Sequence, residues 1–322
     1  MVALNPVHGD RRVDVSIIII NYELAREIDN CLHSLLQTIK PTDAISYEII
    51  IVDNNSPNKD LRQVENGFQQ ENIHFYYLEN NLGFGKGCNY GFTKARGKYI
   101  CFLNPDTIIG ENIFPKMIEL FEKNKSIGVI APRQQVRAPF FDFSAGFSPN
   151  IFIEVIGLFG VGVFFEGFLI YLYTKFRKKE YLPVRWILGA CIFIKSELFK
   201  VVDGFDTDYF MFYEEVDLCK RVSNQGLKIA YVPSLAIHHV GSVSGKRDYY
   251  LYTIRTYSSK YIYISKHYTY LYKALMKLLL YIQLFSQMSI WSLIFPLNKE
   301  KSKQKLKAFI YLLVNRMANK TV

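Results

Sequence analysis

Three carboxylates, Glu214, Glu215 and Asp217, open the segment that runs to Arg221. Phe210, Met211, Phe212 and Tyr213 stand directly before them. A carboxylate that emerges beside buried apolar surface has its pKa raised and suits a general base. On a helix, Glu214, Asp217 and Arg221 share one face at spacings of three and four. Negative charge in a first helical turn is also favoured by the helix dipole, so a plain charge cluster on a solvated helix is the competing reading.

The stretch Tyr99-Ile-Cys-Phe-Leu-Asn-Pro-Asp-Thr107 is the second place where chemistry could sit. Residues 99–103 read as a buried strand that stops at Pro105, which has no N–H for a ladder. Asn104 and Asp106 therefore fall at a C-terminal strand end, where open α/β sheets build ligand sites. A carboxylate there suits a hard divalent cation whose remaining positions go to phosphates, although Asn-Pro-Asp is also an ordinary turn. His238 and His239 stand together at another predicted strand end, before small polar residues. That pattern fits a metal or phosphate site, or a structural pair.

These groups need a scaffold that gathers strand ends. Residues 15–20 are a β-branched run, read as a parallel strand buried on both faces. Ile28, Leu32, Leu35 and Leu36 predict a helix over 24–38. Strands are expected over 48–52 and 74–78 and a helix over 60–70, with Asp53-Asn-Asn-Ser-Pro57 as a turn. Gly83, Gly85, Gly87 and Gly91 make 79–91 a loop whose backbone approaches something closely, followed by a helix over 92–96. Their spacing is not the dinucleotide fingerprint. A helix over 111–124 and a strand over 127–131 precede a looser, apolar stretch, 139–183. Residues 184–194 read as a strand with a small step at Gly189 and Ala190. A short helix (195–202) and strands over 229–232 and 234–237 follow. This alternation implies a doubly wound, mostly parallel α/β sheet.

The 322 residues allow one large domain or two ordinary ones, and half of them are hydrophobic. The five cysteines have no zinc spacing, and Cys101 and Cys191 read as core, a pattern that fits a reducing compartment. Residues 1–14 carry no apolar signal-peptide core. The net charge of +10 is uneven: residues 246–322 hold 14 Lys/Arg against Asp248 and Glu300, leaving the rest at −2. A tail that is basic, aromatic and apolar suits an anionic membrane surface rather than nucleic acid.

In this order the motifs resemble family 2 glycosyltransferases of the GT-A fold, in particular the bacterial rhamnosyltransferase-like branch. The resemblance runs over about residues 13–267, through Val15-Ser-Ile-Ile-Ile-Ile-Asn-Tyr22, Ile50-Ile-Val-Asp-Asn-Asn-Ser56, the glycine-rich 81–91, Leu103-Asn-Pro-Asp-Thr107, Gly189-Ala190, Gly204-Phe-Asp206, 214–221 and His238-His-Val-Gly241. It implies an inverting transfer from a nucleotide-diphosphate sugar, with Mg²⁺ or Mn²⁺ offsetting the charge of the leaving diphosphate. Asp106 would be the metal carboxylate, with Asn104 where the family's D-x-D motif has its first acid. His239 would complete the metal site, His238 being the alternate. Tyr22 and Asp53 would meet the nucleobase, and Asn81, Gly83 and Asn89 would line the nucleotide and sugar pocket. Glu215, standing where the family has Asp, would be the general base with Glu214 as its alternate. Trp186, Gly189 and Ala190 would shape the acceptor side.

The implied organisation is a catalytic domain over 1–245, with an insertion at about 139–183, and a helical membrane-associating tail over 246–322. Residues 278–298 carry no charge and are bracketed by Lys277 and Lys299. Gln283, Ser286, Gln287, Ser289 and Ser292 dilute the run, which favours an interfacial or re-entrant helix held to the cytoplasmic leaflet of the bacterial inner membrane over a span, with a helix packed on the catalytic domain as the competing reading. Residues 151–174 are apolar too, but Glu154 and Glu166 argue against a span; an acceptor-binding insertion or an interfacial helix is expected. The expected partners are a nucleotide sugar, a lipid-linked glycan acceptor of O-antigen or capsule synthesis, and the membrane surface. A nucleotidyltransferase would place a glycine-rich loop with Arg after its first strand, where Asn21-Tyr-Glu-Leu24 stands. A catalytically silent member of an assembly complex is the other alternative. The joint presence of Asp106, Glu214, Glu215 and His239 argues against it.

Overall fold

The computed structural model describes residues 13–40, 43, 45–135, 141–158, 160–176, 179–239 and 248–315. The first half runs β1 (Val13–Asn21), α1 (Ala25–Thr38), β2 (Tyr47–Asp53), α2 (Leu61–Gly67), β3 (Ile73–Tyr77), α3 (Phe84–Lys94) and β4 (Gly97–Leu103). The second half runs β5 (Thr107–Ile108), α4 (Phe114–Lys123), β6 (Ile127–Gln135), β7 (Ala145–Gly146), α5 (Ile151–Gly157), α6 (Gly162–Phe176), β8 (Leu182–Val184), β9 (Trp186–Ile187), β10 (Cys191–Lys195), α7 (Ser196–Val201), α8 (Glu214–Asn224) and β11 (Lys228–His239). Three helices follow: α9 (Tyr249–His267), α10 (Tyr270–Leu293) and α11 (Lys299–Val314).

The main sheet has the order β3-β2-β1-β4-β10-β6-β11-β5, with β8 on β11. β1 pairs in parallel with β2 and β4, so its Ile17, Ile18 and Ile19 are buried on both faces, as their β-branched run requires. β10 enters antiparallel between β4 and β6. One face is covered by Ile28, Leu32 and Leu35 of α1 with Met117 and Phe121 of α4. The other is covered by Cys88 and Phe92 of α3, Phe199 of α7 and Leu218 and Val222 of α8. This is the mostly parallel α/β sheet, covered on both faces, that the resemblance implies. All five cysteines are buried and free.

Several elements differ from the sequence reading. The glycine-rich stretch is a loop only over 79–83; from Phe84 it is helix α3, and the glycines within it serve close packing. A Cβ on Gly91 would stand 2.6 Å from Ile18 Cγ2, and one on Gly87 3.2 Å from the same atom of Ile20. Residues 184–194 break into β8, β9 and β10 because Trp186–Ile187 pairs away from the main sheet, with β7. The two strands expected over 229–237 are one, β11, with an irregular register between Val232 and Ala236 around Pro233. The apolar stretch 151–174 is a helical hairpin, α5 and α6, which turns at Gly160 with φ +75°.

The kink in β11 positions the site. β5 pairs with the end of β11, bringing His239 opposite Thr107. Leu103 and Thr107 are four residues apart, a reach of at most ~14 Å, so the end of β11 must curl back over the end of β4. Residues 240–247, which hold the rest of the His238 motif, lie outside the described residues.

The tail helices pack around Ile254, Ile264, Met276, Leu280, Leu284, Phe309 and Leu312. α9 also joins the catalytic body, where its Tyr263 packs with Tyr209 and Val216.

Candidate active site

The C-terminal ends of β1, β2 and β4 and the end of β11 converge on one rim of the sheet, the position at which such sheets bind ligands. Asp106 Oδ1 lies 3.1 Å from His239 Nε2, and both side chains are largely buried. Asn104 Nδ2 is 3.3 Å from the same nitrogen. Alternation along β11 sends the neighbouring His238 to the opposite side, where it is exposed. A carboxylate oxygen and an imidazole nitrogen at this separation fit a divalent cation such as Mn²⁺ or Mg²⁺. Among the described residues no group of three or more metal-ligating His, Cys, Asp or Glu side chains occurs. Two such ligands would leave positions for phosphate oxygens on a cation shared with a diphosphate.

The backbone N–H of Asn104 donates to the carbonyl of Ala190 at 2.9 Å, tying this rim to the strand start that follows Gly189. Gly189 faces Glu215: a Cβ there would lie 3.8 Å from Glu215 Cβ. Glu215 is half-buried at the start of α8, and burial pushes its carboxyl up to about 7 against the lowering effect of the N–H groups of Glu215 and Val216. Glu214 is buried, its Oε2 has no partner, and burial followed by the Glu215 charge raises it well above the usual range. Glu214 lies toward α3, its Cβ 3.8 Å from the position of a Cβ on Gly85. The pair therefore faces two directions, Glu214 inward and Glu215 toward Gly189.

The loop that aims this pair is strained and clamped. Phe212 and Tyr213 have φ of +71° and +67°, the left-handed region that costs a non-glycine residue about 1–2 kcal/mol. Phe84 N–H donates to the Phe210 carbonyl at 3.0 Å, and Ser259 Oγ of α9 donates to the Met211 carbonyl at 3.0 Å. The ring of Phe212 packs against Tyr252, and that of Tyr213 against Tyr263. Gly83 must be glycine: its φ is +83°, and a Cβ would lie 2.3 Å from the Phe210 carbonyl oxygen.

Asp217 is engaged elsewhere, with partners on its own helix and on α9. It is buried, 2.6 Å from Arg221 Nε and 2.6 Å from His267 Nε2, with Tyr209 OH 3.4 Å away. Burial would raise its carboxyl, but the His267 hydrogen bond and the Arg221 charge outweigh burial and hold it low. The spacing of Asp217 and Arg221 was readable in sequence; His267, 50 residues on, was not.

At the β1 and β2 ends, Asp53 is buried and accepts from Asn21 Nδ2 (2.6 Å), Ser56 Oγ (2.6 Å) and the Ser56 N–H (3.0 Å). Tyr22 is exposed beside it. Asn54, read only as part of a turn, is a buried organiser: its Nδ2 donates to Asn81 Oδ1 (2.9 Å) and to the Gly83 carbonyl (3.1 Å). Asn89 spends its amide on the backbone of Phe205, donating to the carbonyl and accepting from the N–H, each at 2.8 Å. It ties α3 to the Gly204–Asp206 turn. Trp186 Nε1 donates to Ser148 Oγ at 3.0 Å and packs over Gly146, which has no room for a Cβ.

Comparisons with known proteins bear on the family and the fold. The family model described as "Glycosyl transferase family 2" matches residues 16–196. Rhamnosyltransferase WbbL of Escherichia coli (strain K12) is 27% identical over 223 residues, 66% of this chain and 79% of that protein. The low-salt glycan biosynthesis hexosyltransferase Agl10 of Haloferax volcanii is 24% identical over 70% of this chain and 67% of its own length. An N-acetylglucosaminyl-diphospho-decaprenol L-rhamnosyltransferase of Mycobacterium tuberculosis is 36% identical over 83 residues, 26% of this chain and 27% of its own. Among solved structures, the mannosyltransferase PcManGT from Pyrobaculum calidifontis, in complex with GDP-Man and Mn²⁺, aligns over 96% of this chain and 87% of its own at a TM-score of 0.57 and 14% identity. Staphylococcus aureus TarS 1–349 with UDP aligns over 94% and 82% at a TM-score of 0.52 and 18% identity. With the family model matched over more than half of the chain, on this fold, the protein is a family 2 glycosyltransferase.

Proposed function

We propose that the enzyme moves a sugar, with L-rhamnose the first candidate, from a nucleotide-diphosphate donor to a lipid-linked glycan in bacterial cell-surface polysaccharide (O-antigen or capsule) synthesis. Transfer takes place at the cytoplasmic face of the inner membrane, with inversion at the anomeric carbon. The observation that carries the reading is the placement of Glu215 and of the Asp106–His239 pair on one rim, linked through the Asn104–Ala190 hydrogen bond. Rhamnose and a lipid diphosphate carrier are drawn from the names of relatives.

Glu215 takes the proton from the acceptor hydroxyl as its oxygen attacks the anomeric carbon. The bond to the diphosphate breaks on the opposite face, so the configuration inverts. Asp106 and His239, with Asn104 beside them, would hold Mg²⁺ or Mn²⁺, whose charge offsets that of the departing diphosphate. Tyr22 and Asp53 receive the nucleobase. Asn81, Gly83 and Asn89 line the donor pocket, the first two steadied by Asn54 and the third by the backbone of Phe205. Gly189 leaves room between the acceptor and Glu215, and Ala190 and Trp186 shape the same side.

The test is nucleoside-diphosphate release from a panel of nucleotide sugars in detergent with Mn²⁺, Mg²⁺ or EDTA, comparing wild type with Asp106→Ala. Metal-dependent release from one donor, lost in the variant, is the expected result. If no donor is turned over or bound even with lipid-linked acceptors present, the reading falls and a silent assembly role takes its place.

A further inference from the structure

The α5–α6 hairpin covers the apolar stretch for which an acceptor-binding insertion or an interfacial helix was expected, and its outer surface bears on that choice. It contains two carboxylates, and both point inward. Glu154 is buried in an ion pair with Lys260 of α9, and Glu166 is buried and accepts from the N–H groups of Phe147 and Ser148. The residues left outside are apolar: Phe152 is 63% exposed, Val163 66% and Phe164 53%. Leaving such side chains in water is unfavourable unless something covers them.

The hairpin lies against α10. Tyr272 OH accepts from the Ile151 N–H, while Gln283 Nε2 and Ser286 Oγ donate to the carbonyls of Gly157 and Leu158. α10 buries Met276, Leu280 and Leu284 on one face and exposes Leu278 (56%), Ile282 (42%) and Phe285 (56%) on another. Cations stand at the ends of both pieces. Lys175 lies in the last turn of α6, Lys273 in the first turn of α10, and α11 opens with Lys299 and Lys303, while Lys277 and Lys301 sit over the rings of Tyr261 and Tyr249. Among the described residues from 249 to 315, Glu300 is the sole carboxylate side chain. An apolar surface flanked by lysine, with its carboxylates turned away, is complementary to acyl chains beneath anionic headgroups.

We propose that the α5–α6 hairpin and α10 form one continuous face that seats the enzyme on an anionic lipid bilayer, with α10 lying along the interface rather than crossing it. The hairpin is thus a second membrane contact beside that of the tail. This rests on the membrane-acting reading given above and extends it to a surface outside the tail. The Lys260–Glu154 pair fixes the hairpin to α9, next to Ser259, which holds the catalytic loop. The membrane face and the Glu215 loop therefore share one helix.

The experiment is flotation of the full chain with vesicles of phosphatidylcholine, alone or mixed with phosphatidylglycerol. Wild type should float with the anionic vesicles and much less with the neutral ones. Phe152→Ser combined with Val163→Ser should weaken anionic binding about tenfold, as should Leu278→Ser combined with Phe285→Ser. Because every native cysteine is buried, Val163→Cys carrying an environment-sensitive dye gives a second readout that does not depend on weakening the fold. Its emission should shift to the blue on adding anionic vesicles. A hairpin double variant that floats like wild type, with no dye shift, overturns the proposal while the tail-only membrane reading stands. Loss of self-association in the hairpin variant, with vesicle binding intact, makes the face a contact between copies and overturns it too. Failure of wild type to float with any vesicle removes both this face and the membrane part of the reading. Nucleotide-sugar turnover measured in detergent tests the transferase reading separately.

Discussion

His267 Nε2 lies 2.6 Å from Asp217 Oδ1, so the last residue of α9 is hydrogen-bonded to the helix that presents Glu214 and Glu215. The pair aims the acidic residues without touching them. His267→Ala leaves a buried carboxylate short of a partner, an omission that destabilises by about 1–3 kcal/mol. We expect a lower melting temperature and a kcat reduced about tenfold, with the donor KM little changed. Arg221→Ala should do the same, and the double variant should lose less than the two singly added together. Asp217 is held below the ordinary carboxylate range, so its contribution to stability is present above that range and is lost as pH falls from there through the lowered value. Denaturant melts below pH 4 should therefore separate wild type from His267→Ala less than melts at neutral pH, with roughly 4 the ordinary aspartate value.

Burial of Glu215 has a pH signature. A base must be unprotonated, and this carboxyl is raised from 4.5 to about 7. kcat/KM should therefore rise with pH along a limb centred near 7, an apparent value that belongs to the Glu214–Glu215 pair. The raised value also means that the protonated form favours folding: this contribution is complete below 4.5 and is lost as pH rises through about 7. Glu215→Gln should cut kcat by about 10²–10⁴-fold, keep donor binding, and make the protein more resistant to denaturant at pH 8 than wild type.

The two histidines at the end of β11 should behave differently. His239→Ala and Asp106→Ala should each weaken Mn²⁺-dependent binding of a nucleoside diphosphate, read by calorimetry, by about tenfold or more. His238→Ala, on the exposed side of the strand, should leave it unchanged. Equal losses in both histidine variants would point to a structural role for the whole strand end.

Glycine positions give a steric test. Gly83→Ala must place a Cβ 2.3 Å from the Phe210 carbonyl oxygen at a φ of +83°, and Gly91→Ala one 2.6 Å from Ile18. Both should destabilise by at least about 1–3 kcal/mol. Gly110→Ala, with nothing within 4 Å, should be neutral within about 0.5 kcal/mol in a thermal melt.

How much of this was legible depends on how local the physics is. β1 was readable because a parallel strand buried on both faces has to be an unbroken β-branched run, and the Asn104–Asp106 rim was readable because proline ends a strand. The acidic opening of α8 was readable because helical spacing is local. The glycine-rich stretch misled because glycine permits two opposite things, a bending loop and a helix lying tight against a strand. Only the strand packed behind it decides between them. β9 could not be seen because its partner, β7, is a two-residue strand about forty positions earlier. The inward turn of Glu154 and Glu166 was hidden for the same reason, since their partners lie on other elements.

The clamp that α9 puts on the Met211 carbonyl bears on how the enzyme can be cut down for biochemistry. Removing everything after β11 would seem to shed a greasy appendix and leave a soluble catalyst. It would also remove Ser259, Tyr263 and His267, and with them the grip on a loop that sits in left-handed backbone. A chain shortened at that point should bind nucleotide yet turn over poorly. The useful place to trim is the turn between His267 and Tyr270, with the newly bared side chains of α9 made polar.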